Sequence, residues 1–164
     1  MKILLINPAP TGTLKATGVL FPPLGLLYVA AYAEREGHEV TVRDLAIQKE
    51  GKEVNYKKYD LVGISTDTTR HRQALKIAER AKGSGRTVVM GGPHPGYVDE
   101  EILSTGKVDF IVHGEGEVTF AELVAAIEKK DGEFDSIPGI SFLSDGRLVR
   151  TPQRPFIENL DDLP

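Results

Sequence analysis

Apolar and polar residues follow one another along this chain in two rhythms: short unbroken apolar runs and longer stretches of helical period. Lys2–Ile6 (KILLI) reads as a buried strand that stops at Asn7-Pro8. A long loop follows, Ala9–Pro22, and loops of that length inside a domain are usually functional or disordered. Pro22-Pro23 then opens a helix over Leu24–Glu36, which Gly37 closes. Its first half, LGLLYVAAYA, is apolar nearly all round, which predicts burial. Glu39–Val42 is a second strand ending at Arg43-Asp44, and Leu45–Lys58 is weakly patterned, a short helix and a loop. Asp60–Ser65 (DLVGIS) is a third strand, followed by Thr66-Asp67-Thr68-Thr69. Arg70–Lys82 places Ala74, Leu75, Ala78 and Ala81 on one helix face. Thr87–Met90 is a fourth strand, ending in Gly91-Gly92-Pro93-His94-Pro95. Paired glycines there permit positive φ and a close approach to the backbone. After a short helix at Asp99–Ser104, Val108–Val112 is a fifth strand running into His113-Gly114-Glu115-Gly116. Val118–Lys130 carries Phe120, Leu123, Val124 and Ile127 at the clearest helical spacing in the chain. Ile140–Leu143 and Arg147–Thr151 flank Ser144-Asp145-Gly146, a hairpin signal.

Strands alternating with helices predict an α/β fold: a flavodoxin-like (Rossmann-like) doubly wound, parallel five-stranded sheet in the order 2-1-3-4-5, with a small C-terminal β-hairpin. That order puts a switch point between strands one and three. There the loop after Asn7 faces Ser65-Thr66, with Gly91–Pro95 and His113–Gly116 further along the same edge. Residues 1–151 form one domain. The acidic, unpatterned tail 152–164 lacks an apolar face, which predicts poor order in isolation.

Composition narrows the function. The 164 residues suit one domain, and 40% hydrophobic with 27% charged residues is ordinary for a globular chain. A net charge of −4 argues against a general nucleic-acid or anionic-membrane binder. No apolar run approaches membrane-spanning length and no signal-peptide pattern follows Lys2, so a cytoplasmic location is expected. Cysteine is absent, which removes disulfides, thiolate zinc sites and thiolate-held iron–sulfur clusters from this chain.

The strand ends carry the candidate chemistry. A dinucleotide site wants G-x-G-x-x-G after strand one, which lacks it; Gly114-x-Gly116-x-x-Thr119 is a partial match after the last parallel strand. Thr11-Gly12-Thr13 faintly resembles a flavin-mononucleotide phosphate loop. A phosphorylation receiver needs carboxylates ending strands one and three, but Asn7 takes the first place and Asp67 lies past the second. His38 falls at the far edge, and His71 starts a helix as a capping or solvated residue. His94 and His113 end neighbouring strands and could converge with Glu115 on a metal; without a third imidazole or a cysteine, the pattern favours two separate loop histidines and no metal site.

Asn7-Pro8, FPPLGLLYVAAYAEREGHEV (Phe21–Val40), VGIST (Val62–Thr66), VVMGGPHPG (Val88–Gly96) and VDFIVHGEGEVTFAELV (Val108–Val124) together resemble the cobalamin-binding domain at the N-terminus of B12-dependent radical SAM enzymes. The likeness covers almost the whole chain, and the ENLDDLP segment (Glu158–Pro164) resembles the linker into the radical SAM barrel. The resemblance implies a cobalamin-binding module, likewise without turnover of its own. The 4Fe-4S cluster and S-adenosylmethionine would belong to a barrel absent from this chain, and the chemistry would be of methyltransferase type. It also implies a base-off corrinoid whose nucleotide tail enters a slot beside the sheet. Ser65, Gly91 and Gly92 would form that slot, with Ser65 bonding the benzimidazole, and the loop after strand one would cover the corrin. Asn7, Pro8, Thr11, Gly12, Thr66, Asp67, Pro93, His94, Gly114, Glu115 and Gly116 complete the expected contacts. Better-known cobalamin modules carry Asp-x-His-x-x-Gly after strand one and then Ser-x-Leu; here the first is absent and Asp67 stands in place of the leucine. With no histidine between Asn7 and Pro22, the expected binding mode is His-off. The alternative is a flavodoxin-like domain that binds a flavin, a nucleotide or a partner protein.

Overall fold

The structure, a computed structural model, describes residues 1–10, 21–47, 54–130 and 132–164. Thr11 and Gly12, expected at the cofactor, and the middle of the weakly patterned stretch before strand three lie outside the described residues. In chain order the elements are β1 (Lys2–Asn7), α1 (Leu24–Arg35), β2 (Glu39–Asp44), β3 (Leu61–Ser65), α2 (His71–Gly83), β4 (Thr87–Gly91), α3 (Asp99–Ser104), β5 (Phe110–Val112), α4 (Glu117–Lys129), β6 (Ile140–Ser144) and β7 (Arg147–Arg150). The seven strands lie in one sheet, β2-β1-β3-β4-β5-β6-β7. The first five strands are parallel in the expected order, and β1 pairs with both β2 and β3, which creates the switch point. The hairpin is not a separate appendage. It extends the sheet, β6 pairing antiparallel to β5 in the register Phe110↔Phe142.

Both sheet faces are buried, which is why the central strands read as unbroken apolar runs. Ile3 and Leu5 point with Leu61 and Val89 toward α1 and α4. Leu4 and Ile6 point with Val62, Val88 and Met90 toward α2 and α3. β5 starts at Phe110, later than its apolar run suggests. The Asp109 carboxylate accepts the Val88 N–H at 2.8 Å, so a side chain takes the donor that a longer ladder would use.

The first half of α1 departs from expectation. Leu26, Ala30 and Ala33 are buried, but Leu24 (62%), Leu27 (41%) and Tyr28 (44%) are exposed. The sheet covers one stripe of a helix, and no described residue covers this other apolar stripe. The C-terminal tail makes contacts that its sequence does not announce: Arg154 Nε donates to Thr119 Oγ1 at 2.8 Å, Ile157 N–H to Glu115 Oε2 at 2.6 Å, and Arg35 Nη1 to the Asp162 carbonyl at 2.8 Å.

Candidate functional site

Four strand ends, after β1, β3, β4 and β5, meet at the carboxyl edge of the sheet. They surround a cleft of about 460 Å3 that runs inward between the sheet face and helices α1 and α4. Small residues open it. Gly63 lies in mid-strand on β3, where a Cβ would sit 2.5 Å from Leu5 Cδ2. Gly92 has φ +102°, and a Cβ there would fall 2.5 Å from the Thr66 carbonyl oxygen. Gly92 therefore demands glycine for both space and backbone conformation, whereas at Gly63 an added atom would meet the movable end of the Leu5 side chain. Gly91 differs: its Cβ would meet Val112 at an ordinary 3.6 Å.

Of the expected site residues, Asn7, Ser65, Thr66, Asp67, Gly91, Gly92, Pro93, Gly114, Glu115 and Gly116 line this cleft, whereas Pro8 and His94 do not. Ser65 Oγ makes no hydrogen bond among the described residues, which leaves it available to a ligand. Asn7 is buried and held on both sides: its Nδ2 donates to Asp44 Oδ1 at 2.8 Å, and its Oδ1 accepts from Arg70 Nη1 at 2.7 Å. Asp67 caps α2. Its Oδ1 accepts from the backbone N–H groups of Thr69 (2.8 Å) and Arg70 (3.0 Å). Burial opposes ionisation of Asp67, but these bonds, the Thr69 hydroxyl and the Arg70 charge together hold its carboxyl below the usual range. Arg70 Nε lies 3.4 Å from Asp67 Oδ2, yet it is buried and makes no hydrogen bond.

The histidines do not converge. The His94 ring stands edge-on to His71, centroids 4.6 Å apart, and its Nδ1 lies 3.1 Å from Thr68 Oγ1. His71 is not a solvated capping residue: its Nδ1 is buried without a partner, and burial, then the charge of His94, push its pKa down. His113 turns the other way, to Ser141 Oγ at 2.6 Å. Ser141 in turn donates to Asp99 Oδ2 at 2.8 Å, so His113 Nε2 must carry the proton that Ser141 accepts. Arg150 grips Asp99 with two bonds, Nε at 2.8 Å and Nη2 at 2.9 Å. The Arg150 guanidinium holds the Asp99 carboxyl at about 2, against burial and with help from Ser141 and the Glu100 N–H. This cluster, built on the buried Asp99 and Ser141, bolts the hairpin to β5 and α3. It makes His113 a structural residue, with Glu115 engaged separately by Ile157 N–H.

Sequence reading missed Gly63, Arg70, Glu117 and Phe120 as cleft residues. A glycine inside an apolar strand was a usable signal of close approach. The other three give none, because their orientation depends on how α2 and α4 pack.

Residues 11–124 match the B12 binding domain family. An uncharacterized methyltransferase of Pyrococcus horikoshii is 37% identical over 173 residues, covering 100% of this chain and 37% of its own length. The anaerobic magnesium-protoporphyrin IX monomethyl ester cyclase of Synechocystis is 33% identical over 174 residues, covering 98% of this chain and 34% of its own. The chain thus spans about a third of the length of these relatives. Among solved structures, the radical S-adenosylmethionine methyltransferase TsrM of Kitasatospora setae, with cobalamin and a [4Fe-4S] cluster bound, superposes with a TM-score of 0.71 at 24% identity, over 92% of this chain and 30% of that one. The cobalamin-dependent S-adenosylmethionine radical enzyme OxsB, with aqua-cobalamin bound, gives 0.74 at 17% identity, over 94% and 22%. At these identities the two structures establish the shared fold.

Proposed function

This chain belongs to the B12 binding domain family, and from that premise we propose that it holds base-off cobalamin at the carboxyl edge of its sheet, as the cofactor module of a methyltransferase-type radical SAM enzyme. The observation that carries this reading is the glycine-lined cleft. Its volume of about 460 Å3 lies in the range of small-molecule sites. Gly63, Gly91 and Gly92 present bare backbone, free of side chains, along its wall. The residues present therefore fit the nucleotide tail of a base-off corrinoid.

In this reading the tail enters between the sheet face and helices α1 and α4. Gly63 and Phe120 lie along its path, and Ser65 Oγ donates to the benzimidazole nitrogen. Asn7, locked between Asp44 and Arg70, keeps β1 and α2 in place beneath the corrin. When bound, cobalamin supplies a cobalt centre suited to one-carbon transfer. The protein's part is to bind it, orient it and exclude water from its tail. No histidine lines the cleft among the described residues, which supports His-off binding. The exposed stripe of Leu24, Leu27 and Tyr28 borders the cleft mouth, where Leu24 also lines it, and suits a face that a radical SAM barrel covers. Tail residues 152–164 would lead toward that barrel. The barrel would hold the iron–sulfur cluster and S-adenosylmethionine, since this chain has no cysteine.

The test is retention. Hydroxocobalamin is added to the purified chain, which is then desalted and its visible spectrum recorded; a near-stoichiometric corrin spectrum is expected. Loss of the corrin with retention of flavin mononucleotide instead would overturn the proposal. Electron paramagnetic resonance of the cob(II)alamin-loaded chain should lack nitrogen superhyperfine splitting; splitting abolished by His94→Ala would show an imidazole ligand and refute the His-off assignment.

A further inference from the structure

We propose that Glu117 reads an amide N–H on the rim of the bound corrinoid, so that the cleft selects the fully amidated cofactor over forms in which a side-chain amide has become a carboxylate. The inference rests on the cobalamin reading above. It begins from the three carboxylates in the cleft wall, Asp67, Glu115 and Glu117. Two of them are engaged by the protein, Asp67 by the Thr69 and Arg70 N–H groups ahead of α2 and Glu115 by Ile157 N–H. Glu117 has no such partner among the described residues. The residue is 8% exposed, and its Oε2 is closed off from solvent without a hydrogen bond.

An ionised carboxylate is acceptor-only, so this oxygen can be satisfied only by a donor. Leaving a buried acceptor unmatched is costly, and more so if it is charged. Its place opening α4 makes a negative charge there tolerable, because the helix dipole favours an anion at that end. The terminal torsion of glutamate is soft, so a turn of the carboxylate brings an oxygen to the cleft surface without moving the helix. What the position lacks is a donor, and the corrin rim carries primary amides, each with two N–H groups. A corrinoid acid would instead present a carboxylate to Glu117, in a wall whose single guanidinium among the described lining residues, Arg70, is already bonded to Asn7. Like charges in a partly desolvated wall repel, which supplies discrimination against the acid.

The experiment compares corrinoids, not activities. Hydroxocobalamin and the separated monocarboxylic acids made by mild hydrolysis of one side-chain amide each are titrated against the chain by equilibrium dialysis. At least one acid isomer should bind about tenfold more weakly than the parent. Glutamine can both donate and accept, so in Glu117→Gln, nearly the same shape, that gap should close to within about threefold. Glu117→Ala should close it too, with thermal melts confirming that both variants fold. If every acid isomer binds the parent chain as tightly as hydroxocobalamin, or if the gap persists in both variants, the inference fails while the cobalamin reading stands. If hydroxocobalamin itself does not bind, the cobalamin reading fails and takes the inference with it.

Discussion

Gly91 and Gly92 are neighbours in sequence, and the structure separates their roles. Gly92 sits at φ +102° with the Thr66 carbonyl where a Cβ would go; Gly91 faces Val112 at contact distance. Gly92→Ala should therefore abolish cobalamin retention and lower the melting temperature, whereas Gly91→Ala should leave the fold intact and retain cobalamin within a fewfold of the parent. Ser65→Ala should weaken binding by about 1 kcal/mol, the worth of one hydrogen bond. Equal retention by the Gly92 and Gly91 variants, measured by spectrum after desalting, would show that the tail does not pass Gly92. Ser65 and the glycine pair were legible in the sequence because each ends an apolar run, and strand ends in such sheets form the ligand edge. Arg70 and Glu117 were not. Their significance lies in buried atoms without partners, and only packing reveals those. His113 was read as a separate loop histidine, and only packing shows that Ser141, distant in sequence, claims its Nε2.

At the scale of elements, the hairpin is the part whose role the pattern concealed. The Asp-Gly turn forecast two strands, but not that Phe142 would pack on Phe110 and Phe134, or that Arg150 would reach Asp99. Replacing Asp99 with asparagine should lower the urea midpoint, since it removes the charge that Arg150 pairs with and leaves one amide oxygen where two carboxylate oxygens served Arg150 and Ser141. An unchanged midpoint would mean the cluster carries no stability. The same elements set a pH dependence. Asp99 is lowered from 3.8 to about 2, so its contribution is complete above about pH 4 and is lost as the pH falls toward 2. His113 and His71 are lowered from 6.5, so the fold prefers both neutral. For His113 burial is the main cause and Arg150 adds to it, with Asp99 opposing; for His71 burial leads, His94 adds and Glu101 opposes. That stability is present above pH 6.5 and fades as protonation is forced below it. Melting temperature should therefore fall from pH 7.5 to 5, and a His71→Asn/His113→Asn double variant should flatten the slope. A slope unchanged in that variant would assign the effect to other groups.

Across the whole molecule, the parallel sheet was legible because its central runs are apolar on both faces, a pattern that only a sheet covered twice can satisfy. The bare stripe on α1 was misread because an apolar helix signals that something must cover it, not what does. The hairpin's position has a further consequence, for association. Without it, β5 would be the open margin of the sheet, three apolar residues, Phe110–Val112, with backbone groups ready to pair. With it, the margin becomes β7, where Arg147 and Arg150 bracket Leu148-Val149, while β2 on the opposite side carries Glu39, Arg43 and Asp44. Charged margins of this kind discourage strand-to-strand stacking between molecules. A chain ended after Lys130 should form large, light-scattering aggregates at concentrations where the full chain stays dispersed, and a dispersed shortened chain would show that β5 needs no such guard. The last two strands thus act as a selvedge, closing a weave that would otherwise go on adding threads from neighbouring molecules.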